Sequence, residues 1–489
     1  MVKTAGWLLP AILALAGCSS SGQRHEQTLS QALTALGQDK ALIGASSGVM
    51  VRDAESGTVL YQAHAQQRLA PASNMKMFTS LAAFGVLGAD YRFETRLLTT
   101  GEQRGDTLRG DLYLQGSGDP TLHPDDLDTF AATLAQRGIR HIYGRLILDA
   151  SAFDQTPFGA GWSWDDEPFA FAAPISALNY AFTPGGDINV VRVDVQPGAR
   201  AGAPGRVSFY PANDAVTLVN RTTTTGGDTA LTFDRQPGSN RIVVSGTVAA
   251  QAEASSRLIT VDQPARVVGA LLQNALRAHG ITLRGNAEEG VTPAGARLLA
   301  EKTSPPLSRL AVTFLKVSNN GYGEVLTKAM GRKTQGKGDW AAGLQAIGRF
   351  VQSQGIKAGA YRQVDGSGLS RMNQITPQQL TTLLLAARKQ PWFADWYNAL
   401  PIAGQPGLLV GGTLRSRMVK SAAAGRAHAK SGSMTGVSSL SGYVDSATGR
   451  PLAFAIISNN YLVPGAEVKA LEDRLVETLA ACDATVVCR

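Results

Sequence analysis

Ala70-Pro71-Ala72-Ser73-Asn74-Met75-Lys76-Met77-Phe78 holds the one Ser-x-x-Lys of the chain, at a point where an extended segment is expected to turn into a helix. Pro71 suits a first helical turn, where its missing N–H costs nothing, and Met77, Phe78, Leu81 and Phe84 then recur at helical spacing. At positions i and i+3 the Ser73 hydroxyl and the Lys76 amine share one helix face. The positive end of the helix dipole favours the anionic character that a serine nucleophile needs. A lysine buried beside polar groups can shed its proton near neutral pH and serve as the base. Four residues alone do not separate a nucleophile from an ordinary helix start, so the rest of the chain has to supply partners.

Upstream, Val49-Met50-Val51 and Thr58-Val59-Leu60-Tyr61 flank Asp53-Ala54-Glu55-Ser56-Gly57 and read as a hairpin that leads into the Ser73 segment. Before it, residues 27–37 place Leu29, Leu33 and Leu36 on one helix side. Downstream, Tyr91 to Leu98 and Leu108 to Leu114 alternate like strands, residues 124–137 read as helix, and Gly144 to Ala150 as strand again. Between 179 and 258, short Val-rich segments alternate with Gly, Pro, Asn and Thr, which indicates a small all-β module. A helix over 263–279 follows, then mixed character with a helical stretch near 339–355. These shifts predict a host domain of residues 27–94 and 297–489, an inserted domain of 95–178 and 259–296, and a nested β-rich domain of 179–258.

A chain of 489 residues is too long for one core, and 44% hydrophobic with 17% charged residues describes a folded protein. The net charge of +8 is spread along the sequence with no basic run interleaved with aromatics, which argues against nucleic acid as partner. It suits attraction to anionic envelope polymers or lipid surfaces. Near the N-terminus, Lys3 precedes an apolar run, Trp7 to Ala16, of the length of a secretory signal rather than a membrane span. Leu15-Ala16-Gly17-Cys18 resembles a bacterial lipobox, so residues 1–17 are expected to be a signal peptide and 18–26 a tether on a lipidated Cys18; a plain signal peptide cleaved nearby is the alternative. No Asp follows Cys18, which points to a periplasm-facing lipoprotein of the outer membrane. Of the three cysteines, Cys482 and Cys488 are left to close a disulfide loop in an oxidising compartment, and without histidine neighbours they do not make a zinc site.

Two further clusters extend the first. Ser318-Asn319-Asn320 follows a helical run, and Lys430-Ser431-Gly432-Ser433 precedes the strand hairpin of Ser438 to Val444 and Leu452 to Ile457. Ser318 can pass protons between Lys76 and a leaving amine, Asn320 can hold a substrate amide, and Lys430 with Ser431 can pair with a substrate carboxylate. Gly432 would keep the strand edge clear of substrate backbone. The backbone N–H groups of Ser73 and Ser433 would form the oxyanion hole. Ser458-Asn459-Asn460 repeats the second pattern but stands out of order, after the Lys-Ser-Gly strand.

In this order and with a long insertion between the first two motifs, the chain resembles the class C low-molecular-mass penicillin-binding proteins, D-alanyl-D-alanine carboxypeptidases and endopeptidases of the penicillin-binding protein 4 type. Gly116-Ser117-Gly118-Asp119-Pro120, Leu87-Gly88-Ala89-Asp90-Tyr91-Arg92-Phe93 and Asp365-Gly366-Ser367-Gly368-Leu369-Ser370-Arg371 also fit. The resemblance implies an α/β, penicillin-recognising fold, with an antiparallel sheet between helices, interrupted by a two-domain insertion. It further implies a serine DD-peptidase acting on peptidoglycan peptides, acylated by β-lactams, with no metal or organic cofactor. Arg371 would bind the carboxylate of a diaminopimelate side chain, Met434 and Thr435 would line that pocket, and Asp154 would meet the amine. Two departures stand out: Ser431 replaces the more usual Thr, and many relatives lack a lipobox. A β-lactamase or esterase of the same fold is disfavoured because the second motif begins with Ser318 rather than Tyr. A non-catalytic peptidoglycan-binding lipoprotein is disfavoured because all three motifs are intact.

Overall fold

The computed structural model describes Met1 and residues 28–482; Cys18, the tether and Cys488 lie outside the described residues. At its centre is a five-stranded antiparallel sheet made from both ends of the chain: β1 (Ser46–Asp53), β2 (Val59–Ala63), β3 (Ala427–Met434), β4 (Val437–Asp445) and β5 (Pro451–Asn459), in the order β3-β4-β5-β1-β2. Helices α1 (Leu29–Gly37), α2 (Met75–Leu87), α3 (Leu307–Lys316), α4 (Asn320–Gln335), α5 (Trp340–Ser353), α6 (Pro377–Ala387) and α7 (Gly465–Ala481) cover it.

The sequence of β5 shows why both faces are covered. Leu452, Phe454 and Ile456 point into a core shared with Leu29 and Leu33 of α1 and Leu475, Val476 and Leu479 of α7. The alternate residues, Ala453, Ala455 and Ile457, face Phe78 and Leu81 of α2 and Leu380 and Leu384 of α6. A strand apolar on both faces has no polar alternation and lies between two layers. α2 is buried nearly all round, so it runs through the core and not along its surface. The helix does not begin at Pro71, as the sequence suggests; a separate 3-10 turn, Ala72–Asn74, carries Ser73, and α2 starts at Met75.

The insertion leaves and re-enters side by side, because strand Glu94–Thr99 pairs antiparallel with Arg297–Thr303. It holds a five-stranded and a four-stranded sheet, helices Pro124–Gln136 and Pro264–Ala278, and two three-stranded sheets within residues 190–260. One apolar cluster runs continuously from Leu97, Leu114 and Leu148 through Val191, Val193 and Val195 to Val244 and Val248. The segment between Asp149 and Asn179 carries little regular structure and reaches over to the host domain: the Asp154 N–H donates to the Gly338 carbonyl at 3.0 Å and the Trp162 indole N–H to Asp365 at 3.0 Å. It forms one wall of the cleft described next.

Candidate active site

The turn that carries Ser73 is strained. Ala72 has φ +46°, a left-handed conformation that non-glycine residues rarely hold, and the surrounding packing keeps it there. One helical turn on, Lys76 is wholly buried and its Nζ lies 3.0 Å from Ser73 Oγ, 2.6 Å from Asn320 Oδ1 and 2.7 Å from the Ser367 carbonyl oxygen. A neutral amine has two N–H donors and one lone pair. Two of the three neighbours can only accept, so they take the two N–H groups, and the lone pair is left for the one neighbour that owns a proton, Ser73. Burial pushes the Lys76 ammonium down to about 7, opposed by the carboxylates of Glu324 and Asp365.

Ser318 occupies the junction between α3 and α4 with φ +65°, a second strained position. Its Oγ accepts from Lys430 Nζ at 2.7 Å, and the same Nζ donates to the Ser431 carbonyl at 2.6 Å. Burial, and then the nearness of Lys76, holds the Lys430 ammonium well below its usual range. Lys430 is fully buried behind Ser318, with its ammonium turned to the Ser318 hydroxyl and the Ser431 carbonyl. Asn320 differs from expectation. Its amide oxygen is taken by Lys76 and its Nδ2 donates to the Phe171 carbonyl at 2.7 Å, so it ties the base to the insertion instead of standing free for substrate. Ser431 Oγ is bonded to Thr413 Oγ1 at 2.8 Å.

The reason for glycine at 432 is likewise internal. A Cβ there would stand 2.7 Å from the Pro71 carbonyl oxygen and 2.9 Å from the Ser73 backbone nitrogen, and would overlap Ser439 Oγ. Gly432 therefore lets edge strand β3 close onto the nucleophile turn; clearance for substrate backbone is not what demands it. The out-of-order motif is structural: Asn459 clamps both backbone groups of Ala70, accepting its N–H at 2.7 Å and donating to its carbonyl at 3.0 Å, while Ser458 Oγ pairs with Ser47 Oγ at 2.9 Å.

A cavity of about 550 Å³ opens over these groups, lined by Ser73, Ser318, Asn320, Ser433, Met434, Thr435 and Arg371, with Asp165, Asp166 and Phe171 across from them. Arg371 Nη2 donates to the Thr435 carbonyl at 2.8 Å. Asp154 is not there. Its carboxylate pairs with the buried Lys328 at 2.6 Å and lines a separate cleft in the insertion, because a buried ammonium needs a countercharge. The acidic side chains beside Arg371 are Asp165 and Asp166, and burial, with Asp165 adding to it, raises the Asp166 carboxyl while Arg371 lowers it. Sequence reading also passes over Glu324, Thr413 and Phe171. Only Glu324 left a signal: it stands four residues after Asn320, on the same face of α4. Among the described residues, no cluster of three or more His, Cys, Asp or Glu side chains is placed to hold a metal ion.

Comparison with known proteins fits this geometry. A family model described as the D-Ala-D-Ala carboxypeptidase 3 (S13) family matches residues 29–482. A D-alanyl-D-alanine carboxypeptidase of Actinomadura sp. (strain R39) is 41% identical over 480 residues, 97% of this chain and 88% of that protein. The D-alanyl-D-alanine carboxypeptidase DacB of Haemophilus influenzae is 28% identical over 440 residues, 89% of each chain. The crystal structure of penicillin binding protein 4 (dacB) from Haemophilus influenzae superposes with a TM-score of 0.80 at 27% identity, covering 91% of this chain and 98% of that one. That protein has also been solved in complex with a β-lactam. Matched from α1 to the end of α7, with the mixed α/β fold and the serine–lysine cleft in place, the chain belongs to the D-Ala-D-Ala carboxypeptidase 3 (S13) family of serine peptidases.

Proposed function

We propose that the cleft cleaves the peptide bond after a penultimate D-alanine in peptidoglycan stem peptides, through a covalent ester on Ser73. Neutral Lys76 takes the Ser73 Oγ proton as Oγ adds to the carbonyl carbon. The oxyanion is held by the N–H groups of Ser73 and Ser433, two residues that line the same cavity. The proton leaves with the departing amine by way of Ser318, which Lys430 orients. Water then hydrolyses the ester and restores Ser73 and the carboxylate product. The leaving amine is free D-alanine in carboxypeptidase action and the amine of a cross-linked side chain in endopeptidase action, and one chemistry serves both. A β-lactam offers the same acceptor carbonyl and acylates the same serine. The single observation behind this reading is the Lys76 amine with both N–H groups engaged by oxygen acceptors and Ser73 3.0 Å away. The test is incubation of the purified protein with D-Ala-D-Ala peptides, with muropeptide dimers and with a fluorescent penicillin.

Arg371 supports a preference for peptides whose side chain carries a carboxylate, since a guanidinium binds one bidentately. Arg371→Ala is expected to slow cleavage of diaminopimelate-containing peptides about ten- to a hundredfold, the loss of one charged contact of roughly 1.5–3 kcal/mol. Penicillin acylation should fall much less, because penicillin lacks that side chain. Equal losses on both substrates would show that Arg371 supports the β3–β4 turn through Thr435 and does not select substrate.

The reading places the enzyme in the bacterial envelope as a periplasm-facing lipoprotein of the outer membrane. The lipobox-like run ending at Cys18 supports this, as does the pair Cys482 and Cys488, proposed to close a disulfide in an oxidising compartment. Cys18→Ser is expected to move the protein from the membrane to the soluble fraction with its peptidase activity intact. Unchanged membrane retention, or maturation at another residue, would contradict the anchor.

A further inference from the structure

Glu324 lies on α4 one turn beyond Asn320, with none of its surface exposed. Its three hydrogen-bond partners are neutral N–H donors: Gly366 N at 2.8 Å and the Trp340 indole at 2.7 Å on Oε2, and Ser367 N at 2.8 Å on Oε1. Three donors favour the ionised form, since a protonated acid would waste its own O–H against them, while burial and then the charge of Asp365 push the carboxyl up to about 7. Burying a carboxylate with neutral partners is costly, and the mechanism above does not use this one. What the carboxylate holds is the turn that faces Lys76. Gly366 is pinned a second time where its carbonyl accepts from Thr79 Oγ1 at 2.7 Å, and the Ser367 carbonyl is the oxygen that accepts from Lys76 Nζ at 2.7 Å.

We propose that Glu324 is a positioning residue for Lys76: by gripping the Gly366 and Ser367 amides it aims the Ser367 carbonyl at one N–H of the amine and so turns the lone pair toward Ser73. The proposal rests on the reading of Lys76 as the base. One turn of α4 then fixes both acceptors that orient the amine, Asn320 directly and Ser367 through Glu324. A lysine stem with four rotatable bonds has no other means of keeping its lone pair in one direction. The carboxylate has an electrostatic effect as well. Its charge, with that of Asp365 behind it and against the nearby Lys430, favours the ammonium form of Lys76 against burial, which keeps the neutral amine basic enough to take a serine proton.

The test compares the pH dependence of benzylpenicillin acylation in the wild-type protein, Glu324→Gln and Glu324→Asp, each checked for folding by thermal unfolding. Glu324→Gln removes the charge and turns one acceptor into a donor. Acylation at pH 8 is expected to fall about tenfold or more, and the acid limb of the profile to move to lower pH, because Lys76 loses a proton more readily without a neighbouring anion. Glu324→Asp keeps the charge but is too short to span both amides. Its limb should stay near the wild-type pH while its plateau rate remains low. A folded Glu324→Gln whose acid limb has not moved overturns the proposal, whatever its rate. If Glu324→Gln does not fold, Glu324→Asp carries the test alone, and an Asp variant whose plateau rate equals the wild-type rate overturns the proposal. A wild-type profile with no acid limb near pH 7 would instead remove Lys76 as the base, which separates the failure of the underlying reading from the failure of this inference.

Discussion

Ser73→Ala gains no mass on incubation with benzylpenicillin, whereas the wild-type protein gains one adduct, located by peptide mapping on the fragment that contains Ser73. Hydrolysis of D-Ala-D-Ala peptides by the variant falls by about 10⁴ or more, the scale on which removing a serine nucleophile acts. The argument is one of competition between hydroxyls. Ser318 is also in the cavity and also has an amine within reach, Lys430 at 2.7 Å, so a serine–lysine contact does not by itself name the nucleophile. Ser73 differs in two ways. Its amine partner has both N–H groups committed to oxygen acceptors and a lone pair left over, and the residue sits in the turn that opens α2, where the helix dipole favours developing negative charge. An adduct on the Ser318 fragment, or one that persists in Ser73→Ala, would reverse the assignment.

Lys76→Met is expected to slow acylation by about 10²–10⁴, the usual contribution of a positioned general base. Methionine fills the space of the lysine stem in the core around α2, so the fold is retained. It leaves Asn320 Oδ1 and the Ser367 carbonyl without their donor, at a cost of about 1–3 kcal/mol for each buried group left unpaired, so the melting temperature should drop as well. Stopped-flow acylation with a fluorescent penicillin measures the rate and calorimetry the stability. A variant that melts lower but acylates at the wild-type rate would show that Lys76 has a structural role and that another group takes the proton.

The parts of this site that could be read in the sequence are those set by local geometry. Ser73 and Lys76 are three residues apart, and Lys430 to Ser433 lie on a strand whose hairpin partner follows at once, so spacing and alternation were enough to find them. Roles that depend on distant contacts were not legible. The sequence pairs Lys430 with a substrate carboxylate but does not show that an edge strand pressed against the nucleophile turn leaves its side chain behind Ser318. Asp154 lies in a segment with no periodicity to fix its register, and its partner, Lys328, is an interior charge on a helix whose glycines at 321, 323 and 331 dilute the apolar pattern. Asp165 and Asp166 come from that same irregular segment, where only tertiary contacts such as Trp162 to Asp365 decide what faces the cleft. The sheet was easier to place. Its hairpins β1–β2 and β4–β5 are each local in sequence, β5 carries apolar residues on both faces, and the distance in sequence between β2 and β3 is taken up by the insertion and the helical layer.

The most direct test of the account is the acylation rate of the wild-type protein by benzylpenicillin between pH 5 and pH 9. Burial brings the Lys76 ammonium down to about 7, so the neutral amine that accepts the Ser73 proton is present above that pH and is lost below it. The expected profile is a plateau above about pH 8, a half-maximal rate near pH 7, and a fall of about tenfold per pH unit on the acid side. A rate that stays flat down to pH 5, or one that keeps rising toward pH 10 as an ordinary lysine would dictate, would contradict the claim that Lys76 is the base that activates Ser73.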